Sequence, residues 1–135
     1  MKVTDPDLPE RQGARTGFSS AGEDFRGRRL DLNDLLVPRP ASTFFLRAEE
    51  ETELGGGIRA GDILVTDRSL DPDLVGGSLV VAVVHGEMLL RLVYRRRGRL
   101  WFVSGGPESA VEVTEESDFQ VWGVVIYVLH PVDPR

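Results

Sequence analysis

The stretch Ser78-Leu79-Val80-Val81-Ala82-Val83-Val84-His85-Gly86-Glu87-Met88-Leu89-Leu90-Arg91-Leu92-Val93-Tyr94-Arg95-Arg96-Arg97-Gly98-Arg99-Leu100-Trp101-Phe102-Val103 decides the fold. Its first seven residues form an almost continuous apolar run of strand length, the pattern of a strand covered on both faces. His85-Gly86 then reads as a two-residue hairpin turn, because such turns need backbone at positive φ and glycine adopts it freely. From Glu87 to Arg96 the residues alternate, with Met88, Leu90, Leu92 and Tyr94 on one face and Leu89, Arg91 and Val93 on the other. Arg97-Gly98 repeats the turn signal and leads into Arg99–Val103. The three runs form an antiparallel meander in which Arg91 is a charge set between apolar neighbours.

The same reading extends outward. Upstream, Thr43–Ala48 is apolar and aromatic, and Asp62–Asp67 encloses Ile63, Leu64 and Val65. Downstream, Ala110–Thr114 and Phe119–Leu129 complete the strands, with His130-Pro131 closing the last. The one helical signal is Leu30–Leu36: Leu32, Leu35 and Leu36 share a face, Asp31 or a neighbour is placed to cap it, and Pro38 and Pro40 stop it. Before it, Pro6, Pro9, Gly13, Gly17, Gly22 and Gly27 lie among charges without any period. The expectation is a mostly β domain over 30–135 with one or two short helices, preceded by a flexible arm over 1–29. A chain of 135 residues is enough for one such core. Phe119–Leu129, as an apolar strand near the C-terminus, is a candidate for edge-to-edge dimer pairing, with a buried core strand as the other reading.

Composition excludes several kinds of chemistry. There is no cysteine, which rules out thiol catalysis, disulfides and cysteine-based zinc sites and fits a reducing compartment. The apolar run Val121–Leu129 is far short of the ~20 residues that span a bilayer, and the N-terminus lacks an apolar export segment. A cytoplasmic protein is expected. The formal net charge of −6 favours a protein partner over a phosphate backbone. Of 16 basic residues all but Lys2 are arginine, so the body of the fold has no amine that burial could neutralise.

Four local features invite a functional reading. Gly55-Gly56-Gly57 with Gly61 resembles a phosphate loop, but it lacks the Lys-Ser/Thr ending and opens a strand instead of a helix, so a tight turn is expected. His85 and His130 fall at a turn and a strand end without ligand spacing, and read as exposed loop histidines. Arg91, Arg95, Arg96, Arg97 and Arg99 concentrate positive charge at one hairpin. A solvated tip or docking surface is favoured there, and direct DNA binding through Arg95–Arg99 is the alternative. Glu49, Glu50, Glu51 and Glu53 around Thr52 read as a hydrated run. No metal or cofactor site is indicated.

Taken in order, Gly17-Phe18, Arg29–Leu36, Pro40, Phe45–Ala48, Gly56–Ile58, Gly61–Asp67, Gly77, Val81–Glu87 and Trp122–Ile126 resemble UmuD over nearly the whole chain. UmuD belongs to the LexA/UmuD family of self-cleaving Ser-Lys peptidases of the SOS response. The Asp-Leu-Asn-x-Leu-Leu helix and the Gly-Val-Val-Ile strand point to UmuD more than to LexA, and a winged-helix DNA-binding domain is not expected.

The resemblance implies a strongly curved, mostly β fold and a dimer. It also implies a serine nucleophile in a Gly-Asp-Ser-Met motif and a buried, neutral lysine as its base. Thr52 falls at the serine, Glu53 at the methionine, Glu50-Glu51 at Gly-Asp, and Arg91 at the lysine. Threonine keeps a hydroxyl but crowds it with a β-branch. Arginine has no acceptor and stays protonated, so Arg91 cannot take the proton.

An ion pair from Arg91 to Glu53 or a neighbour is expected to fill the former cleft. The family's cleavage bond corresponds to Thr16–Gly17. The implied function is that of a non-cleaving accessory or regulatory subunit in SOS mutagenesis. It would act as a homodimer, or as a heterodimer with an active paralogue, and would contact a Y-family, UmuC-like polymerase, with a RecA filament as a further partner. The alternative is a residual peptidase using Thr52, or a chain cleaved in trans by an active homologue.

Overall fold

The structure is a computed structural model that describes residues 29–133. Thr16, Gly17 and the arm expected over 1–29, save Arg29, lie outside the described residues. The helix α1 spans Leu32–Leu36. Asp31 caps it, its carboxylate accepting from the Asn33 amide at 2.9 Å. The Val37 amide closes the helix on the Asn33 carbonyl, and Pro38 forbids a further turn. α1 falls in a unit that ends at Pro38, and the strands belong to a second unit that begins at Arg39.

That second unit is a seven-stranded antiparallel sheet built from β1 (Thr43–Arg47), β2 (Ile63–Asp67), β3 (Ser78–Val84), β4 (Glu87–Arg96), β5 (Arg99–Val103), β6 (Val111–Glu112) and β7 (Phe119–Leu129). Their spatial order is β1-β2-β7-β3-β4-β5-β6. The mostly β class expected from the sequence is the one observed. His85 and Gly86 have φ of 48° and 84°, Arg97 and Gly98 of 53° and 74°, the paired positive values that let a two-residue turn follow strand twist. Irregular register at Val65/Thr66 and at Val81/Ala82 bends the sheet on either side of β7.

One expectation is corrected. The strand expected over Ala110–Thr114 contracts to Val111–Glu112, because Thr114 caps a short 3-10 turn over Glu115–Ser117 instead of continuing the ladder. β7 lies inside the strand order, yet among the described residues Phe119–Val124 pairs only with β3 and Val124–Leu129 only with β2, so each half keeps one side open to a further strand. The edges of the sheet are β1 and β6.

Alternation divides the core between the two faces. Val80, Ala82, Val93 and Val124 form one cluster, joined by Phe102 and Phe119. Those two rings stack with centroids 4.9 Å apart. Ala48, Ile58 and Leu64 form the other cluster, with Leu46, Leu79, Leu90, Val125 and Val128 against it. β7 lies close over β2 at Gly123, where a Cβ would come within 2.7 Å of the Thr66 methyl. A side chain there would force Thr66 to shift.

Asp67 is fully buried at the end of β2. One carboxylate oxygen accepts from Ser42 Oγ at 2.8 Å, Ser69 Oγ at 2.7 Å and the Ser69 amide at 2.8 Å. The other accepts from Arg39 Nε. Burial alone would raise this carboxyl's pKa, but the Ser69 hydroxyl, the Arg39 guanidinium and the remaining donors outweigh it and hold the pKa well below the usual range. Asp67 thus fixes the 3-10 turn Pro40–Ser42 at the start of β1. Among the described residues no helix is long and apolar enough to cross a membrane.

Candidate active site

The connection from β1 to β2 carries the first candidate residue. Ala48 is buried, and it is tied down by bonds from its amide to the Asp62 carbonyl and from the Gly61 amide to its own carbonyl. Glu49, Glu50 and Glu51 then run exposed. Thr52 pairs with Ile58 through two backbone hydrogen bonds of 3.0 and 2.8 Å, making a small side hairpin. Leu54 and Ile58 anchor that hairpin in the core. Gly55, Gly56 and Gly57 turn it, all at positive φ, so the glycine run is the tight turn that its context implied. The Thr52 hydroxyl accepts from the Leu54 amide at 3.2 Å.

Arg91 arrives on β4 opposite Val80. Its guanidinium lies over the Phe102 ring, 5.8 Å from the centroid, and Nη1 donates to the Leu90 carbonyl at 2.7 Å. Nε is buried without a partner. Desolvation pulls the pKa below the ordinary arginine value, yet a guanidinium shifted in this way still has no lone pair with which to accept a proton.

Thr52 and Arg91 line one cleft of about 410 Å³, together with Glu49, Glu50, Glu51 and an apolar floor that includes Leu64 and Leu90. Residues far apart in sequence therefore border one concavity. The ion pair expected between Arg91 and Glu53 is not formed, and among the described residues Arg91 has no carboxylate within 4.0 Å. Glu53 instead lines a second, more open depression on the other side of Thr52. Arg91 stays over the aromatic core face, and the exposed glutamates keep their hydration.

The second depression contains a pair that the sequence reading missed. His130 shares it with Thr52, and its Nδ1 lies 2.7 Å from an oxygen of the buried Asp62. His130 is the exposed loop histidine that was expected, and what the sequence did not show is that a buried carboxylate orients its ring. The Arg59 amide and then the His130 ring hold the Asp62 carboxyl below its usual range, against burial, which acts to raise it. The one signal in the sequence was an aspartate beside an apolar strand, and its partner lies 68 positions away. His85 stays exposed, 3.7 Å from the equally exposed Asp118. Among the described residues no three His, Asp or Glu side chains gather as a metal would require.

Residues 12–126 match the Peptidase S24-like family. The chain belongs to that family. Its relatives are UmuD-like proteins. Protein ImpA of Salmonella typhimurium is 39% identical over 117 residues, covering 86% of this chain and 78% of the relative. Protein MucA of Escherichia coli is 36% identical over 125 residues, covering 90% and 84%. The LexA repressor of Xylella fastidiosa is 28% identical over 111 residues, which is 82% of this chain and 52% of the repressor. The family therefore supplies the UmuD-like fold and its place in SOS mutagenesis, and the residues in the cleft set this chain's own chemistry.

Proposed function

We propose that this protein is a non-cleaving, UmuD-like regulatory subunit of SOS mutagenesis, acting by dimerisation and by contact with a Y-family polymerase. The observation that carries the proposal is Arg91. The position that matches the family's general base holds an arginine that borders the cleft with Thr52, and its guanidinium is desolvated over Phe102 and makes no ion pair among the described residues. A Ser-Lys mechanism needs a neutral amine at that point. Among the described residues no lysine is present to supply it, Lys2 being the only one in the chain.

The test is incubation of the purified protein at alkaline pH, with and without a RecA filament on single-stranded DNA, followed by mass spectrometry. The full-length chain is expected throughout. A Gly17–Arg135 fragment refutes the proposal. The Thr52→Ser, Arg91→Lys double variant asks whether the dyad alone is missing, and its cleavage would show that the rest of the cleft is intact. Sedimentation and co-purification with a UmuC-like polymerase test the binding half of the proposal.

A second reading, residual peptidase activity from Thr52, has one observation in its favour. His130, oriented by Asp62, lines the same depression as Thr52, and a carboxylate-oriented histidine is the usual partner of a hydroxyl nucleophile. Under that reading, any fragment seen in the incubation disappears in His130→Gln.

A further inference from the structure

The β4–β5 hairpin carries a concavity of about 570 Å³ that is separate from the cleft and is lined by Tyr94, Arg96, Arg97, Arg99, Trp101 and Ala110. Register explains the grouping. Tyr94 lies opposite Trp101, and Arg96 opposite Arg99. These are alternate pairs on one ladder, so all four side chains leave the same face of the hairpin. Two guanidiniums directly opposed are unfavourable on a strand pair. Glu112 on β6 relieves only one of them, with both its oxygens 3.2–3.3 Å from Arg99 Nη1. Arg96 and Arg97 are exposed and, among the described residues, have no carboxylate partner in a chain of net charge −6. The Trp101 Nε1–H is buried without an acceptor, so no internal hydrogen bond accounts for the indole's placement beside the arginines.

We infer that this face binds single-stranded nucleic acid, with bases stacked on Trp101 and Tyr94 and phosphates on Arg96 and Arg97. Arginines alone suit any anion, an acidic peptide included. The aromatic pair set in the same square is what an unpaired base uses, since every base offers a π-face and guanidinium planes stack as well. A duplex keeps its bases stacked on one another and cannot use the aromatic half of the site. The acidic whole-molecule field keeps the footprint short, confining attraction to the hairpin. This inference is independent of the cleft and of whether the chain cleaves itself.

The experiment is fluorescence anisotropy of a short labelled oligothymidylate titrated with the full chain across a salt series. Two phosphate contacts predict a log K against log salt slope of about −1.4. Arg96→Ala with Arg97→Ala should flatten that slope. Trp101→Leu should weaken binding roughly tenfold while leaving the slope in place. Tyr94→Leu provides a second stacking variant should Trp101→Leu unfold, with circular dichroism as the check on folding. Absence of binding overturns the inference. A poly-glutamate peptide that competes equally, together with insensitivity to both aromatic variants, overturns it in favour of an acidic protein surface. Tighter binding of duplex, or equal binding of thymidine monophosphate, overturns it as well.

Discussion

Replacing Asp67 with asparagine isolates one interaction in the buried hub at the end of β2. The oxygen that accepts from Ser42 and Ser69 is retained as the amide oxygen, whereas the oxygen that accepts from Arg39 becomes an NH₂ facing a guanidinium. A hydrogen bond to a charged group is worth about 1.5–3 kcal/mol. The Arg39 side chain is 47% exposed, so solvent screening places its share near the lower end of the range. The stranded amide donor adds about 1 kcal/mol, giving an expected loss of roughly 2–3 kcal/mol at neutral pH. For a chain of this size that is on the order of 10 °C in Tm.

The assay is urea denaturation and thermal melting followed by circular dichroism, with Arg39→Met and the double variant completing a cycle. The pH dependence has a definite sign. The folded pKa of Asp67 lies below its unfolded value of ~3.9, so the wild-type advantage is complete above that value and lost as pH falls toward the folded pKa. Asparagine does not titrate. The gap between wild type and Asp67→Asn should therefore stay constant from about pH 7 to 5 and shrink below that. A gap under about 0.5 kcal/mol at pH 7, or one that persists unchanged in acid, refutes the assignment of Asp67 as a charged, hydrogen-bonded anchor.

Three further outcomes follow from other elements. Gly123→Ala should destabilise by about 1–3 kcal/mol, read by urea denaturation, because the new methyl meets Thr66 at 2.7 Å where β7 crosses β2. His130→Ala should raise the Asp62 pKa toward the ordinary carboxylate value, seen by carboxyl-carbon NMR titration, and an unmoved midpoint would show that the Arg59 amide alone holds it down. If the proposed dimer pairs through the β1 edge, Phe45→Lys should shift sedimentation toward monomer without changing the melt, because Phe45 is 56% exposed on a strand with one free side.

Part of the candidate site was legible because chemistry limits it locally. The proposed roles of Thr52 and Arg91 rest on the ordered resemblance to the family, and the arginine's inability to act as a base follows from its structure alone. The Arg91–Glu53 ion pair was misjudged because sequence proximity to Thr52 does not show which side of Thr52 a neighbour faces. Glu53 lines the depression beyond Thr52, and Arg91 rests over Phe102. The partner of His130 was not legible because Asp62 precedes a strand on another part of the chain.

The sequence by itself determined the meander, since the turns His85-Gly86 and Arg97-Gly98 and the alternation in β4 depend on backbone preferences acting over a few residues. It also determined that the described residues hold no lysine, since Lys2 is the one lysine of the chain. Only the tertiary structure decided that β7 lies inside the strand order, that Asp62 and Asp67 are buried anchors, and that Glu112 sits beside the face shared by Tyr94, Arg96, Arg99 and Trp101. Both aspartates look in sequence like polar flanks of an apolar run. Whether a carboxylate is hydrated or buried depends on donors brought from Arg39, Ser42 and His130, and no local pattern encodes which distant segment will displace the water.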